Sequence, residues 1–245
     1  MDIEDKKIET DSDDEVQTYN DQLSFSFKPE KSSPLELLSV SKIKVETLFV
    51  GTLGNGSTYL TAKKLDNMSS LGYIYEKTLK LAEIFGTPDN KTLFIIFEDV
   101  VPSSVYFEFS KFLFEKFDIQ HVVLIDSIHP NLLGGFPKDE VELPTLRYIH
   151  TTHVKGDNLP GKKLEKACPL RGLAADILIY CEMNGIPAID FLLITTEHEV
   201  FANDLLLYEN VAGLYKELSK PTDRKTLGSL ASKTNLRSSQ VSCYL

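Results

Sequence analysis

Ile43-Lys44-Val45-Glu46-Thr47-Leu48-Phe49-Val50 runs without interruption into Gly51-Thr52-Leu53-Gly54-Asn55-Gly56-Ser57-Thr58. A β-branched and apolar run gives way to a glycine-rich turn, and a helix is expected over residues 57–65. The unit is strand, tight turn, helix, and its pattern recurs downstream. Residues 93–97 and 119–125 are compact apolar runs of the kind found in strands buried on both faces, and 188–195 is a third. Helices are expected over 71–85, where Gly86-Thr87-Pro88-Asp89 supplies the stop, over 103–117, and over 173–184, stopped by Gly185. A final amphipathic helix is expected over 203–218. Leu23, Phe25 and Phe27 alternate with polar residues as a first strand does. Residues 28–33 and 127–144 read as irregular, and 146–150 as a short strand. Repeated alternation of strand and helix predicts one α/β domain with a largely parallel central sheet flanked by helices. The domain is placed at 21–219, between an acidic extension at 1–20 that should be disordered and a flexible tail at 220–245.

Composition narrows the function classes. The 245 residues are 42% hydrophobic and 25% charged, which is ordinary for a globular chain. The net charge of -10 is unevenly placed. Residues 1–15 carry eight acids against Lys6 and Lys7, and the segment from Lys220 carries five cations against Asp223. An acidic body without a basic folded face argues against nucleic acid as a partner. Three cysteines (Cys168, Cys181, Cys243) with no C-x-x-C pair suit a reducing compartment and argue against a disulfide framework or zinc site. No apolar run resembles a signal peptide or approaches the roughly 20 residues of a membrane span. The expectation is a soluble protein of the cytoplasm and nucleus.

Candidate chemistry is sparse. Gly51–Thr58 nearly matches the phosphate loop G-x-x-x-x-G-K-[ST], but Ser57 stands where the lysine must be. Helix-start amides could still attract an anion; the plainer reading is a turn that glycine permits. His150, His153 and Asp157 imitate a metal set without a third imidazole nearby. Cys181 with His198 is a conceivable thiol–imidazole pair, yet Cys181 sits in an apolar run and free Cys is commonly buried. Ser32-Ser33 and Ser103-Ser104 lack a G-x-S-x-G frame. Glu197-His198-Glu199 follows a strand end, where α/β sites often lie. No acid, base and nucleophile assemble, so no catalytic residue, cofactor or metal is expected. The alternative is a nucleoside- or phosphate-handling enzyme that uses Gly51–Thr58.

Two features point to partners instead. On the helix at 103–117, Val105, Phe109, Phe112, Leu113 and Phe117 cover one face, while Phe107 and Phe114 lie nearly opposite. A helix apolar around most of its circumference is covered on two sides. The second cover is either another part of this chain or a partner subunit, which makes Phe107 and Phe114 candidate interface residues. The chain closes on Cys243-Tyr244-Leu245: a small apolar residue, an aromatic anchor and a carboxylate. Capture of a terminal carboxylate in a pocket is a recurrent recognition mode, and tyrosine brings apolar area with a polar tip.

Cys168-Pro169-Leu170, Leu173-Ala174-Ala175-Asp176-Ile177-Leu178-Ile179-Tyr180-Cys181 and Gly185-Ile186-Pro187-Ala188-Ile189 together resemble the proteasome assembly chaperones, specifically the first subunit of the heterodimeric α-ring chaperone. Cys243-Tyr244-Leu245 looks like that family's hydrophobic-Tyr-any tail, although Cys243 is smaller than the usual residue there. The resemblance implies a non-catalytic chaperone with a nucleoside-phosphorylase-like fold that lacks an active site. It also implies pairing with a second related subunit and binding to proteasome α-type subunits, with the tail inserted between neighbours and its carboxylate meeting a pocket lysine. A flexible tail of about 25 residues would reach roughly 28 Å, so the docked body gives the tail a high effective concentration.

Overall fold

The computed structural model describes residues 25–30, 42–155, 158–166 and 168–242, with side chains through 236. The acidic extension at 1–20, Asp157 and the terminal Cys243-Tyr244-Leu245 lie outside these residues. Nine strands form one sheet: β1 (Phe25–Pro29), β2 (Ile43–Gly51), β3 (Ser69–Glu76), β4 (Leu79–Gly86), β5 (Thr92–Phe97), β6 (Phe117–Ile128), β7 (Thr145–His150), β8 (Lys162–Lys163) and β9 (Ala188–Ile194). Their order across the sheet is β1-β3-β4-β5-β2-β6-β9-β7-β8. The helices are α1 (Asn55–Lys63), α2 (Tyr106–Lys116), α3 (Leu173–Met183), α4 (Ala202–Leu206), α5 (Glu209–Ala212) and α6 (Arg224–Ser242).

The α/β class holds, but the sheet is mixed rather than largely parallel. The centre β5-β2-β6-β9 is parallel. Antiparallel strands flank it: β4, β3 and β1 on one side and β7 on the other. The main cause is residues 71–85, which fold as the β3–β4 hairpin rather than the expected helix. Leu71, Ile74, Leu81, Ile84 and Phe85 are spaced as a helix face would be, and Leu79-Lys80-Leu81-Ala82-Glu83 has strong helix propensity. Pairing decides against it. Lys77 turns the chain at φ 53, and β4 hydrogen-bonds to β3 on one edge and β5 on the other. Both faces of β4 bury side chains, Leu81 and Ile84 on one and Phe85 on the other, so a two-residue alternation never shows in the sequence.

Each sheet face carries its own core. On one, α2 and α3 pack over Val45, Leu48, Ile95 and Leu124. On the other, α1 and α4–α6 pack over Phe49, Phe94, Val123 and Phe191. The expected helix at 203–218 is broken into α4, α5 and a 3-10 turn at Lys216–Leu218. Tyr208 between the first two is fully buried, its hydroxyl donating to the Asp126 carbonyl at 2.5 Å.

Residues 224–242 also depart from the expected flexible tail. They form the 19-residue helix α6. Leu227 and Ala231, one turn apart, are buried on the α1 face of the sheet with Leu230 partly covered beside them. Polar contacts fix the register. Thr234 Oγ1 lies 2.8 Å from Thr58 Oγ1, while Asn235 accepts from the Val200 amide at 2.8 Å and donates to its carbonyl at 3.0 Å. The approach to the helix is fixed as well: buried Lys63 donates to Glu209 and the Lys220 carbonyl, and Lys220 donates back to the Lys64 carbonyl and Asp66. A helix with so few large apolar residues hides its one-sided pattern in composition.

Candidate functional site

The carboxyl ends of β5, β2, β6 and β9 meet along one edge of the sheet, where ligands of parallel α/β sheets usually bind. Gly51–Thr58 lies there, between β2 and α1, and its contacts decide between the phosphate-loop and turn readings. Gly54 sits at φ 96 and supports the turn. A Cβ at Gly56 would collide with the Ile125 carbonyl of β6, so this glycine serves helix-on-strand packing. The Ser57 amide donates to the Thr52 carbonyl at 2.7 Å and the Thr58 amide to the Gly54 carbonyl at 3.1 Å. Both hydroxyls also turn inward to the Gly54 carbonyl. The amide and hydroxyl donors of Ser57 and Thr58 are consumed within the turn, and α6 lies against Thr58. The loop behaves as a packing element.

Beneath that edge is a carboxyl pair the sequence reading missed. Asp126 ends the buried part of β6 and takes hydrogen bonds from Thr52 Oγ1 and, at 2.8 Å, from the Ser127 amide. Burial outweighs these bonds and pushes its pKa up to about 6. Asp190, on neighbouring β9, is fully buried, and neither carboxyl oxygen has a partner among the described residues. Burial first, and the Asp126 charge second, raise its pKa well above the usual carboxylate range, which favours the neutral acid. The signal was legible: an acid inside or closing an apolar run, as in Val122-Val123-Leu124-Ile125-Asp126 and Ala188-Ile189-Asp190-Phe191-Leu192.

Asp126 lies at the floor of a crevice of about 570 Å³ between the strand ends and the start of α3, with Asp99 and Arg171 in its lining. Leu53, Val100 and Leu132 stand exposed around it. Leu53 and Val100 also border a second groove of about 650 Å³, between α6, α1 and strands β4–β5, floored by Phe85, Ile96 and Leu230.

The remaining candidates do not assemble. His150 uses both ring nitrogens, Nδ1 on the Thr151 carbonyl at 2.8 Å and Nε2 beside Lys163 at 3.3 Å. Among the described residues no group of three His, Cys, Asp or Glu is placed to hold a metal ion. Cys181 is fully buried under α2, its thiol pushed up to about 12 by burial, whereas His198 stacks on His129 at 5.5 Å. Ser103 and Ser104 open the 3-10 turn before α2. Ser32-Ser33 falls outside the described residues.

Phe107 and Phe114 separate. Phe114 is buried, stacked on Tyr180 of α3 with ring centroids 4.7 Å apart. The second cover of α2 is therefore α3 of the same chain, and Phe114 is not available to a partner. Phe107 is 46% exposed, 6.2 Å from the same Tyr180 ring. It borders a surface that also exposes Ile179 and Met183 of α3.

Neither a protein-family model nor a curated protein matches the sequence. Solved structures do match the fold. A protein of unknown function from Thermoplasma acidophilum is 14% identical over 86% of this chain and 93% of its own, with a TM-score of 0.62. PbaA of Pyrococcus furiosus, an archaeal homolog of proteasome-assembly chaperone, is 15% identical over 87% of this chain and 94% of its own, TM-score 0.60. PbaB of the same organism, an archaeal proteasome activator, is 13% identical over 89% and 98%, TM-score 0.59. At these identities the likeness is one of fold.

Proposed function

We propose that this chain is a non-catalytic chaperone of proteasome core-particle assembly. It acts in cytoplasm and nucleus as one half of a heterodimer with a second related chaperone, and it binds α-type subunits at the ring. The observation that carries the reading is the fold shared with PbaA over nearly the full length of both chains. The segment 168–189 and the terminal Cys243-Tyr244-Leu245 add sequence resemblance in the same direction. The inward-turned donors of Ser57 and Thr58 favour a body without phosphate chemistry, in keeping with a nucleoside-phosphorylase-like sheet that has lost its site.

The physical scheme differs from a free tether. Helix α6 runs to Ser242, so most of the segment from Lys220 is already ordered before a partner arrives. A 19-residue helix is about 28 Å long, and ordering it in advance removes much of the entropic cost that a flexible tail would meet on capture. Tyr244 and the carboxylate of Leu245 enter the inter-subunit pocket, with Cys243 contributing little apolar area. The half-exposed Phe107 with Ile179 and Met183 faces the second subunit.

The test is capture of α-type subunits from extract by the tagged full chain and by a chain lacking residues 243–245. Recovery of α subunits and a similar-sized companion by the full chain, with the α subunits reduced at least about tenfold by truncation (1.4 kcal/mol), is expected. Equal recovery by both chains sinks tail insertion. Absence of proteasome subunits from both sinks the chaperone reading.

A further inference from the structure

The groove between α6 and the β4–β5 strands has a basic bank. Lys64 of the α1 end and Lys233 of α6 both line it, the Lys64 ammonium lying 3.9 Å over the Phe85 ring of its floor. Lys225 is eight residues before Lys233, about 80° away around the helix, and is likewise exposed. None of the ion pairs among the described residues uses Lys64, Lys225 or Lys233. On the opposite bank stand Glu83, Glu98 and Asp99, with Glu98 neutralised by Lys80 at 3.2 Å.

We propose that the acidic head of this same chain, residues 2–15, docks along this basic bank. Charge complementarity selects it: the head carries eight acids against two lysines, whereas α6 through residue 236 carries Arg224, Lys225 and Lys233 and no acid. Geometry permits it. The head joins β1 through residues 16–24, and Phe25 lies level with Glu76 and Leu79, two strand positions across and six residues along β4 from Phe85, a span of about 22 Å. Linker and head together, residues 2–24, have a root-mean-square reach of roughly 26 Å, so the bank sees the head at high effective concentration. Ile3 and Ile8 give it apolar side chains for the Phe85–Ile96 floor. The inference does not depend on the chaperone reading. Under that reading the head covers the flank of the helix that carries the tail.

Amine-reactive labelling read by mass spectrometry tests this on the full chain, on a chain lacking residues 2–15, and on a chain with the eight acids changed to Asn or Gln. At about 10 mM salt, where the screening length is about 30 Å, Lys64 and Lys233 of the full chain should label at least about threefold more slowly than in either variant. The difference should vanish near 0.5 M salt, and Lys111 and Lys138 should label alike in all three. A peptide of residues 1–20 added to the shortened chain should restore protection, and Lys233→Glu should abolish that rescue. Equal labelling of Lys64 and Lys233 in the three chains overturns the proposal. So does slowing that extends equally to Lys111 and Lys138, which is a general charge effect, or protection that grows with protein concentration, which assigns the head to a second copy.

Discussion

Leu227→Ala is the substitution that most directly tests how α6 is held. Leu227 is fully buried, Ala231 is 3% exposed and Leu230 is only partly covered, so one side chain supplies most of the apolar anchoring. Burying a leucine stabilises by about 1.5–3 kcal/mol; truncation to alanine, with the cavity it leaves, costs about 3 kcal/mol. The protein can escape part of that cost by releasing α6 while β2, β6 and β9 stay folded, because local openings have their own free energies. Hydrogen exchange by mass spectrometry separates the two responses. In the wild type, amides of 226–236 should be protected, which a tail without structure would not show. In Leu227→Ala their exchange should accelerate by about 100-fold, the equivalent of about 3 kcal/mol, with exchange in 117–125 and 188–194 nearly unchanged. Wild-type amides of 226–236 exchanging at the unprotected rate would refute the docked helix. An equal acceleration throughout the sheet would refute its independence.

Four further outcomes follow from the contacts. Gly56→Ala should prevent native folding or cost several kcal/mol, since the new Cβ meets the Ile125 carbonyl; a circular dichroism melt matching the wild type would show that α1 can shift to accommodate it. Phe114→Ala should cost about 3–5 kcal/mol in urea unfolding because its ring is stacked in the core. Phe107→Ser should stay within about 0.5 kcal/mol while weakening capture of the companion subunit, and intact capture removes Phe107 from the interface. Asp190→Asn should raise the melting temperature more at pH 8 than at pH 4. The native state keeps a proton on the raised Asp126 and Asp190 groups that the unfolded chain releases above about pH 4. Stability therefore falls as pH rises above about 4, through about 6 for Asp126, and the raised Asp190 group adds a loss of the same sign. The same gain at both pH values would mean that Asp190 does not carry this proton.

Much of the core was legible because its signal is local. The strands near 43–50, 93–97 and 119–125 and the helices near 57–65, 103–117 and 173–184 all formed close to their expected places, since a buried parallel strand is a short apolar run and glycine ends a helix. The hairpin at 69–86 was not legible: Leu79-Lys80-Leu81-Ala82-Glu83 prefers a helix until β3 and β5 supply hydrogen bonds on both edges. Helix α6 was hidden for the opposite reason, with too little apolar area in one segment to declare itself before α1 offered Thr58 and a place for Leu227. The Asp126–Asp190 pair combines residues 64 positions apart, so its shared environment exists only once β6 and β9 lie side by side.

By itself, then, the sequence determined the α/β class, the parallel strands at the sheet's centre and the unequal charge of the two ends, because composition and short-range periodicity are properties of consecutive residues. Only the tertiary structure decided that the sheet is mixed, that Phe114 is spent on Tyr180 while Phe107 stays open, that Ser57 and Thr58 turn their donors inward, and that residues 224–242 are a docked helix. Each of these depends on which distant surface a residue meets, and hydrogen-bond partners and buried contacts of that range are not written in neighbouring side chains.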